Sequence, residues 1–387
     1  MNGGLFLSDL RTRVLWTAGW SAAVLSAAVG VFKASHQSQD FQWSPTRLLL
    51  HHINPWQVAL SGDPHHALIL SQGPNYAHFL YLLFAPLGAM SFPVARLVWA
   101  FCNLALAGIA LWYCQRIFGL SRQEWAAAAI LFLLGTPFRN AVGNGQQSIL
   151  VLAFIAMAYG AGSRSPHWLW FGLSYCKYSF SPPYFFDLLF SRRILFVLAT
   201  FIPAAIGLAW AHWMVGGSWI TLLFEPLRVG TGVHPSFTDW MAVVETWIAP
   251  HIANRIAIAA LMYGVPVAAA GILAWFMRYR YCTGLSSVAQ LQTLTAVYGL
   301  AALLLFRHLE YDFVFLVFPL FLAIRHRGQF AARWVLAGTL YFWFVIKAID
   351  LLPFPVENHL LPFQFLLLIS MLVALLRIRP GQQEQTT

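Results

Sequence analysis

The stretch YAHFLYLLFAPLGAM, residues 76–90, decides how this chain is threaded, because the side on which every later loop falls depends on whether it crosses a membrane. It holds 15 residues and is interrupted by Pro86. A helix needs ~20 apolar residues to span ~30 Å of hydrocarbon. Neighbouring runs come closer to that length: 14–32, 97–113, 194–211, 256–277 and 335–349. If 76–90 instead lies in or re-enters the outer interface, the basic clusters Arg116/Arg122, Arg164, Arg192/Arg193, Arg278/Arg280, Arg325/Arg327/Arg333 and Arg377/Arg379 share one side with Arg11 and Arg13. That side then carries 14 of the 23 basic residues against three acids, Asp9, Glu124 and Glu384. A spanning 76–90 would put most of those clusters outside and break the excess of Lys and Arg expected of cytoplasmic loops. The interfacial reading is therefore the one adopted.

Composition leaves little room for another class. Hydrophobic residues make up 59% of the 387 and charged residues 9%, with a mean hydropathy of +0.66, which excludes a water-soluble globule. In lipid every backbone N–H and C=O must be paired internally, so the long continuous runs are expected to be helices. The fold class expected is an all-α polytopic bundle of about 12 spans, beginning roughly at 14, 94, 125, 148, 167, 182, 194, 254, 286, 311, 333 and 360. Both termini are expected on the cytoplasmic side, with the first segment a retained anchor. The chain reads as one integral membrane domain, with modules at 14–215 and 216–380 and a disordered tail at 381–387. Loop 34–93 interleaves Phe41, Trp43, Leu48–Leu50 and Trp56 with polar residues, which suits helices lying in the interface plane. The net charge of +10 sits in ones and twos at segment ends, a topology signal that does not point to nucleic acid.

Ionisable groups at membrane depth cost ~2.5–3.5 kcal/mol at a helix centre, so those present are functional candidates. Asp40, in QDFQW, stands just beyond the first long segment. It fits an N-cap aspartate, with ~1 kcal/mol of stabilisation, and it fits a base that deprotonates a hydroxyl at the outer face. The histidine pairs His51/His52 and His65/His66 share its loop but lack the i, i+4 spacing of a zinc site, so no metal is expected. The loop PFRNAVGNGQQSIL places Gly143, Gly145, Asn144, Gln146 and Gln147 before an apolar helix. Glycines there would let backbone approach a ligand, and a plain turn explains the same residues. Lys177 precedes Pro182-Pro183, where it can either snorkel or hold a lipid phosphate. The junction LLLFRHLEYDF gathers Arg307, His308, Glu310, Tyr311 and Asp312. His308 and Asp312 are spaced i, i+4, which would align them on one helical face, as a phosphate clamp with a proton-handling histidine or as a self-neutralising cluster.

Taken together, QDFQWSPTRLLLHHINPW, GPNYAHFLYLLFAPLGAM, PVARLVWAFCNLAL, the Gly145-Gln146 turn, Lys177 with its prolines, and HLEYD resemble the C-type membrane glycosyltransferases. The likeness is most specific to glycosyltransferase family 87, over most of 14–325. Ser148 stands where that pattern expects asparagine, and Gln42-Trp43 displace an aromatic residue. The resemblance implies a C-type architecture and transfer of mannose or arabinofuranose from a polyprenyl-phosphate donor to a glycolipid or polysaccharide acceptor at the extracytoplasmic face of the plasma membrane. It carries the role of base to Asp40. Asn144, Gln146, Lys177, Arg307, His308 and Asp312 are then expected to bind substrate, with no cofactor beyond the lipid-linked donor. The competing expectation is a transporter of a lipid-linked sugar or another anionic lipid, although the paired broken helices of such proteins are not evident.

Overall fold

The computed structural model describes residues 3–161, 167–191, 193–230, 238–349 and 357–379. Arg164, Arg192, Glu384 and the tail 381–387, on which expectations were placed above, lie outside the described residues. Every described element is helical. In chain order these are α1 (Gly3–His36), α2 (Trp43–Leu50), α3 (Pro55–Leu60), α4 (His78–Gly88), α5 (Phe92–Phe118), α6 (Arg122–Leu134) and α7 (Thr136–Gly143). There follow α8 (Ser148–Gly160), α9 (His167–Ser174), α10 (Pro182–Phe190), α11 (Ile194–Ala199), α12 (Ile202–Val215), α13 (Trp219–Gly230) and α14 (Trp240–Val243). The last group is α15 (Arg255–Ala259), α16 (Val265–Phe276), α17 (Ser287–Leu305), α18 (Val317–Arg325), α19 (Phe330–Leu340), α20 (Ile346–Ile349) and α21 (Glu357–Arg377), with 3-10 turns at Tyr175–Phe180 and Glu310–Leu316.

Seven stretches among the described residues are long and apolar enough to cross a membrane, and eight if α6 and α7, bent by 54° at their joint, count as one. The chain is thus a polytopic helical membrane protein. These eight correspond to the expected segments near 14, 94, 125, 194, 254, 286, 333 and 360. The segments expected near 148, 167, 182 and 311 are present as short helices: α8 has 13 residues, α9 eight, α10 nine and α18 nine. At 1.5 Å per residue, 13 residues rise only ~20 Å. Polar junctions cut them short, at the Lys177 turn before Pro182-Pro183 and at 306–312 before α18. Enclosure by other helices relieves α8 and α18 of matching the hydrocarbon thickness. α8 is buried along nearly its whole length against α5 and α9, and 78% of the apolar window of α17 is buried, against 17% for 255–281 at the rim.

Hydrogen bonds sort the helix ends into two poles. At one pole Arg325 donates to the carbonyls of Phe118 and Gly119, Arg327 pairs with Glu124, Arg278 with Asp187, Tyr281 donates to Leu376 O, and Gln329 to Arg379 O. Most of the described basic clusters gather there. Ser121 and Glu124 close a reciprocal capping box that starts α6 at this pole. At the opposite pole the end of α1 meets the end of α7, where Ser38 N–H donates to Gly143 O at 3.1 Å. Both flanks of α4 lie at this second pole. Ala77 N–H donates to Cys176 O at 3.1 Å, and Met90 O accepts from Trp43 Nε1 at 3.1 Å. The chain therefore enters and leaves 76–90 at the same end of the bundle, with α4 packed on α2 and α12.

Candidate active site

The second pole holds the chemistry, and its geometry begins with a glycine. Gly145 has φ +71°, a conformation that costs an L side chain ~1–2 kcal/mol, and a Cβ there would stand 2.6 Å from Cβ of Phe41. The 143–147 turn can thus press directly on the 38–42 segment. Asp40 N–H donates to Asn144 O at 3.0 Å, and Asp40 O accepts from Gln42 Nε2 at 3.2 Å and Gln147 Nε2 at 3.5 Å. Trp99 Nε1 in turn donates to Gly145 O at 2.8 Å. The close approach expected of these glycines is realised against the Asp40 segment of the protein itself. Asn144 gives this contact its backbone carbonyl and, unlike the other residues expected to bind substrate, is not among those lining the cavity. Asp40 is not an N-cap either: α2 begins after Gln42, and Asp40 stands two residues earlier with its carboxyl half-buried.

Lys177 arrives from a different part of the fold. The 3-10 turn 175–180 breaks at Lys177, with φ −117° and ψ 88°, so its side chain leaves the helical track ahead of Pro182-Pro183. Its Nζ donates to Asp312 Oδ1 at 2.5 Å and to Ser148 Oγ at 3.2 Å, and it stands 5.1 Å from the ring centres of Phe180 and Tyr311. Ser148 Oγ also donates to Asp312 Oδ1, and Asp312 Oδ2 accepts from Leu309 N–H at 2.9 Å. Asp312 is buried and its oxygens are occupied by protein donors.

His308 and Asp312 do not share a helical face. Residues 306 and 309 are extended, at φ/ψ −120°/151° and −121°/171°, and helix resumes only at Glu310, so the i, i+4 inference fails because 308 precedes the turn. His308 is buried on the edge of Phe313, its Nε2 within 3.2 Å of Thr238 Oγ1 and its backbone N–H donating to Asp239 Oδ2 at 3.3 Å. Burial lowers its pKa below the ordinary histidine range, against the opposing pull of Asp239 and Asp312. A neutral imidazole is the form favoured. Arg307 pairs with Glu245 at the cavity rim.

Asp40, Gln146, Lys177, Arg307, His308 and Asp312 line one cavity of about 580 Å³. Six of the seven expected site residues are therefore brought together from four regions of the chain. Residues not singled out complete the polar part of the lining. Tyr76 OH donates to Gln146 Oε1 at 3.2 Å and is raised well above the usual tyrosine range by burial and then by the Asp40 charge, so it remains a phenol. Gln42 is buried, accepts from Tyr81 OH at 3.4 Å and lines the cavity beside Asn75 and Tyr178. Only adjacency to Asp40 hinted at Gln42, and Tyr76 was hidden at the start of an apolar run. The rest of the lining includes the apolar residues Leu227, Met241, Met262, Val267 and Phe306. Among the described residues no group of three or more His, Cys, Asp and Glu side chains is placed to hold a metal ion.

A cavity lined by a carboxylate, cations and hydrocarbon side chains together, at one pole of a helical bundle, suits an enzyme that handles an amphiphile. The family model of glycosyltransferase family 87 matches residues 76–307. The chain belongs to glycosyltransferase family 87. It is accordingly a membrane glycosyltransferase. The match covers Asn144, Gln146, Lys177 and Arg307, whereas Asp40, His308 and Asp312 fall outside it and are placed by the geometry alone. No curated protein and no solved structure matches the chain at a significant level.

Proposed function

We propose that this glycosyltransferase moves a sugar of the mannose or arabinofuranose class, with inversion, from a polyprenyl-phosphate donor to a hydroxyl of a glycolipid or polysaccharide acceptor. The observation that carries the reading is the shared cavity: a carboxylate from the 38–42 segment and cations from 177 and 307 line one space together with apolar side chains. The sugar phosphate would lie against the charged and amide side chains and the carrier chain against the apolar ones, each buried CH₂ contributing ~0.8 kcal/mol. Asp40 takes the acceptor proton as the acceptor oxygen bonds to the anomeric carbon. The bond from that carbon to phosphate breaks, and its electron pair stays on the phosphate oxygen. Lys177 and Arg307 stabilise the charge that develops there, an effect removed at ~10²–10³ in rate per preorganised group. His308, buried and neutral, serves as a hydrogen-bond group of the wall instead of a third cation. Gln146 faces the sugar. A single displacement needs no covalent nucleophile, and cations can serve the phosphate, so the reaction is metal-independent in this reading. The site opens on the extracytoplasmic side and both termini are cytoplasmic, which is supported by the gathering of basic residues at the opposite pole.

The test is purified protein with polyprenyl-phosphate sugars and glycolipid acceptors, wild type beside Asp40→Asn. Loss of a general base should lower the transfer rate ~10²–10⁴-fold with the fold intact. Transfer at the wild-type rate in the asparagine variant would remove Asp40 from the mechanism. Movement of the lipid without any transfer would favour a carrier.

A further inference from the structure

We infer that Ser148 and Asp312 are positioning residues for Lys177, which together aim one N–H of its ammonium into the cavity to receive a phosphate oxygen. The inference rests on the reading above insofar as it takes the cavity for a phosphate site. A lysine ammonium sits on a flexible four-carbon stem and, unlike a guanidinium, has no fork to orient itself. Its three N–H bonds are tetrahedral, so holding the ammonium from one side turns the remaining N–H away from that side. Asp312 Oδ1 at 2.5 Å and Ser148 Oγ at 3.2 Å hold it from the same side, since the Ser148 hydroxyl itself bonds to Oδ1. The rings of Phe180 and Tyr311, each 5.1 Å away, flank the group without adding an anion. What is left is directed by default toward the cavity that Lys177 lines.

Ser148 is what keeps Asp312 from simply quenching the lysine. A carboxylate facing a lone buried ammonium draws it inward and takes more than one of its protons. In this structure Asp312 Oδ1 also receives the Ser148 hydroxyl, and Oδ2 receives Leu309 N–H. The carboxylate is satisfied by these donors and the ammonium retains a proton for an incoming anion. Ser148 can do this because it is the first residue of α8, fully buried at the junction where α8 meets the 175–180 and 310–316 turns. It is also the position at which the sequence departs from the pattern described above, yet it lies at the centre of the charged group.

Binding of farnesyl phosphate in detergent micelles tests this, with farnesol as the probe lacking the anion. Lys177→Gln should weaken farnesyl phosphate binding about tenfold to a hundredfold and leave farnesol unchanged. Ser148→Ala should weaken it about three- to tenfold, and in a Lys177→Gln background the same change should have no further effect. Ser148→Thr and Ser148→Val share one shape and differ by the hydroxyl, so Thr should bind as wild type and Val as Ala, even if the alanine variant does not fold. The inference is overturned if Ser148→Ala and Ser148→Val bind like wild type, if their loss persists without Lys177, or if wild type does not prefer farnesyl phosphate to farnesol. The expected binding pattern in a protein that transfers no sugar would overturn the proposed reaction and leave the positioning role standing.

Discussion

Replacing Gly145 by alanine probes the contact on which the placement of Asp40 depends. The added Cβ would fall 2.6 Å from Cβ of Phe41 and 3.3 Å from its Cα, where ordinary contact begins at 3.4 Å, so the 38–42 segment must retreat by about 0.8 Å. The left-handed φ of +71° adds its own cost. Together, strain at φ > 0 and overpacking give roughly 2–5 kcal/mol of destabilisation. Asp40 adjoins Phe41 and is hydrogen-bonded to the same turn, so the displacement reaches the carboxylate. A misplacement on the order of 1 Å can lower a rate ~10²-fold. The expected result is therefore a lower melting temperature in detergent and a transfer rate reduced roughly 10- to 10²-fold, with farnesyl phosphate still bound through Lys177. Gly62→Ala is the control. Its φ is +81° with nothing within 4 Å of the added carbon, so it carries the backbone cost of ~1–2 kcal/mol alone and should transfer at the wild-type rate. Equal behaviour of the two variants in melting and in transfer would refute the claim that the turn holds Asp40 by contact.

Other outcomes follow from parts of the fold away from the cavity. Burial lowers His78 from the usual 6.5 to about 4, opposed by a hydrogen bond to the Leu222 backbone, so the unfolded chain takes up this proton first as pH falls. Stability associated with His78 should be whole above about pH 6.5 and decline by roughly 3 kcal/mol toward pH 4, and His78→Gln should flatten that part of the melting-temperature profile. Arg278→Ala strips the cation from the buried Asp187 carboxylate, leaving Tyr298 OH at 3.2 Å, and should destabilise by roughly 3 kcal/mol while farnesyl phosphate affinity stays at the wild-type value. Single cysteines at Arg122 and Arg280 should be labelled from the cytoplasm and one at His65 from the opposite side. Labelling of 65 and 122 from the same side would reverse the threading of 76–90.

The likeness between sequence and structure is strongest where the physics is local. Hydropathy over 14–32, 97–113 or 256–277 is summed within a segment, so helices there were legible, as was the grouping of Arg325, Arg327 and Arg278 at one pole. Length failed where enclosure replaced lipid: α8 is surrounded by protein and needs only 13 residues. Spacing failed at 308–312, because an i, i+4 pattern has meaning only if the chain between is helical, and residues 306–309 are not, with 306 and 309 extended. The glycines of the 143–147 turn announced a close approach without saying to what. Ser148, read along the chain, was merely a substitution in a pattern.

By itself the sequence determined that this chain would be a helical membrane protein with its few charges sorted by side, because the cost of unpaired backbone and bare charge in hydrocarbon acts on each segment separately. Tertiary structure alone decided that Asp40 and Lys177 would face one cavity, that Asn144 would contribute a carbonyl in place of its side chain, and that Ser148 and Asp312 would hold the lysine. Those facts arise from side chains converging across distant segments, and convergence is set by how the buried helices pack, a property no local window of residues contains.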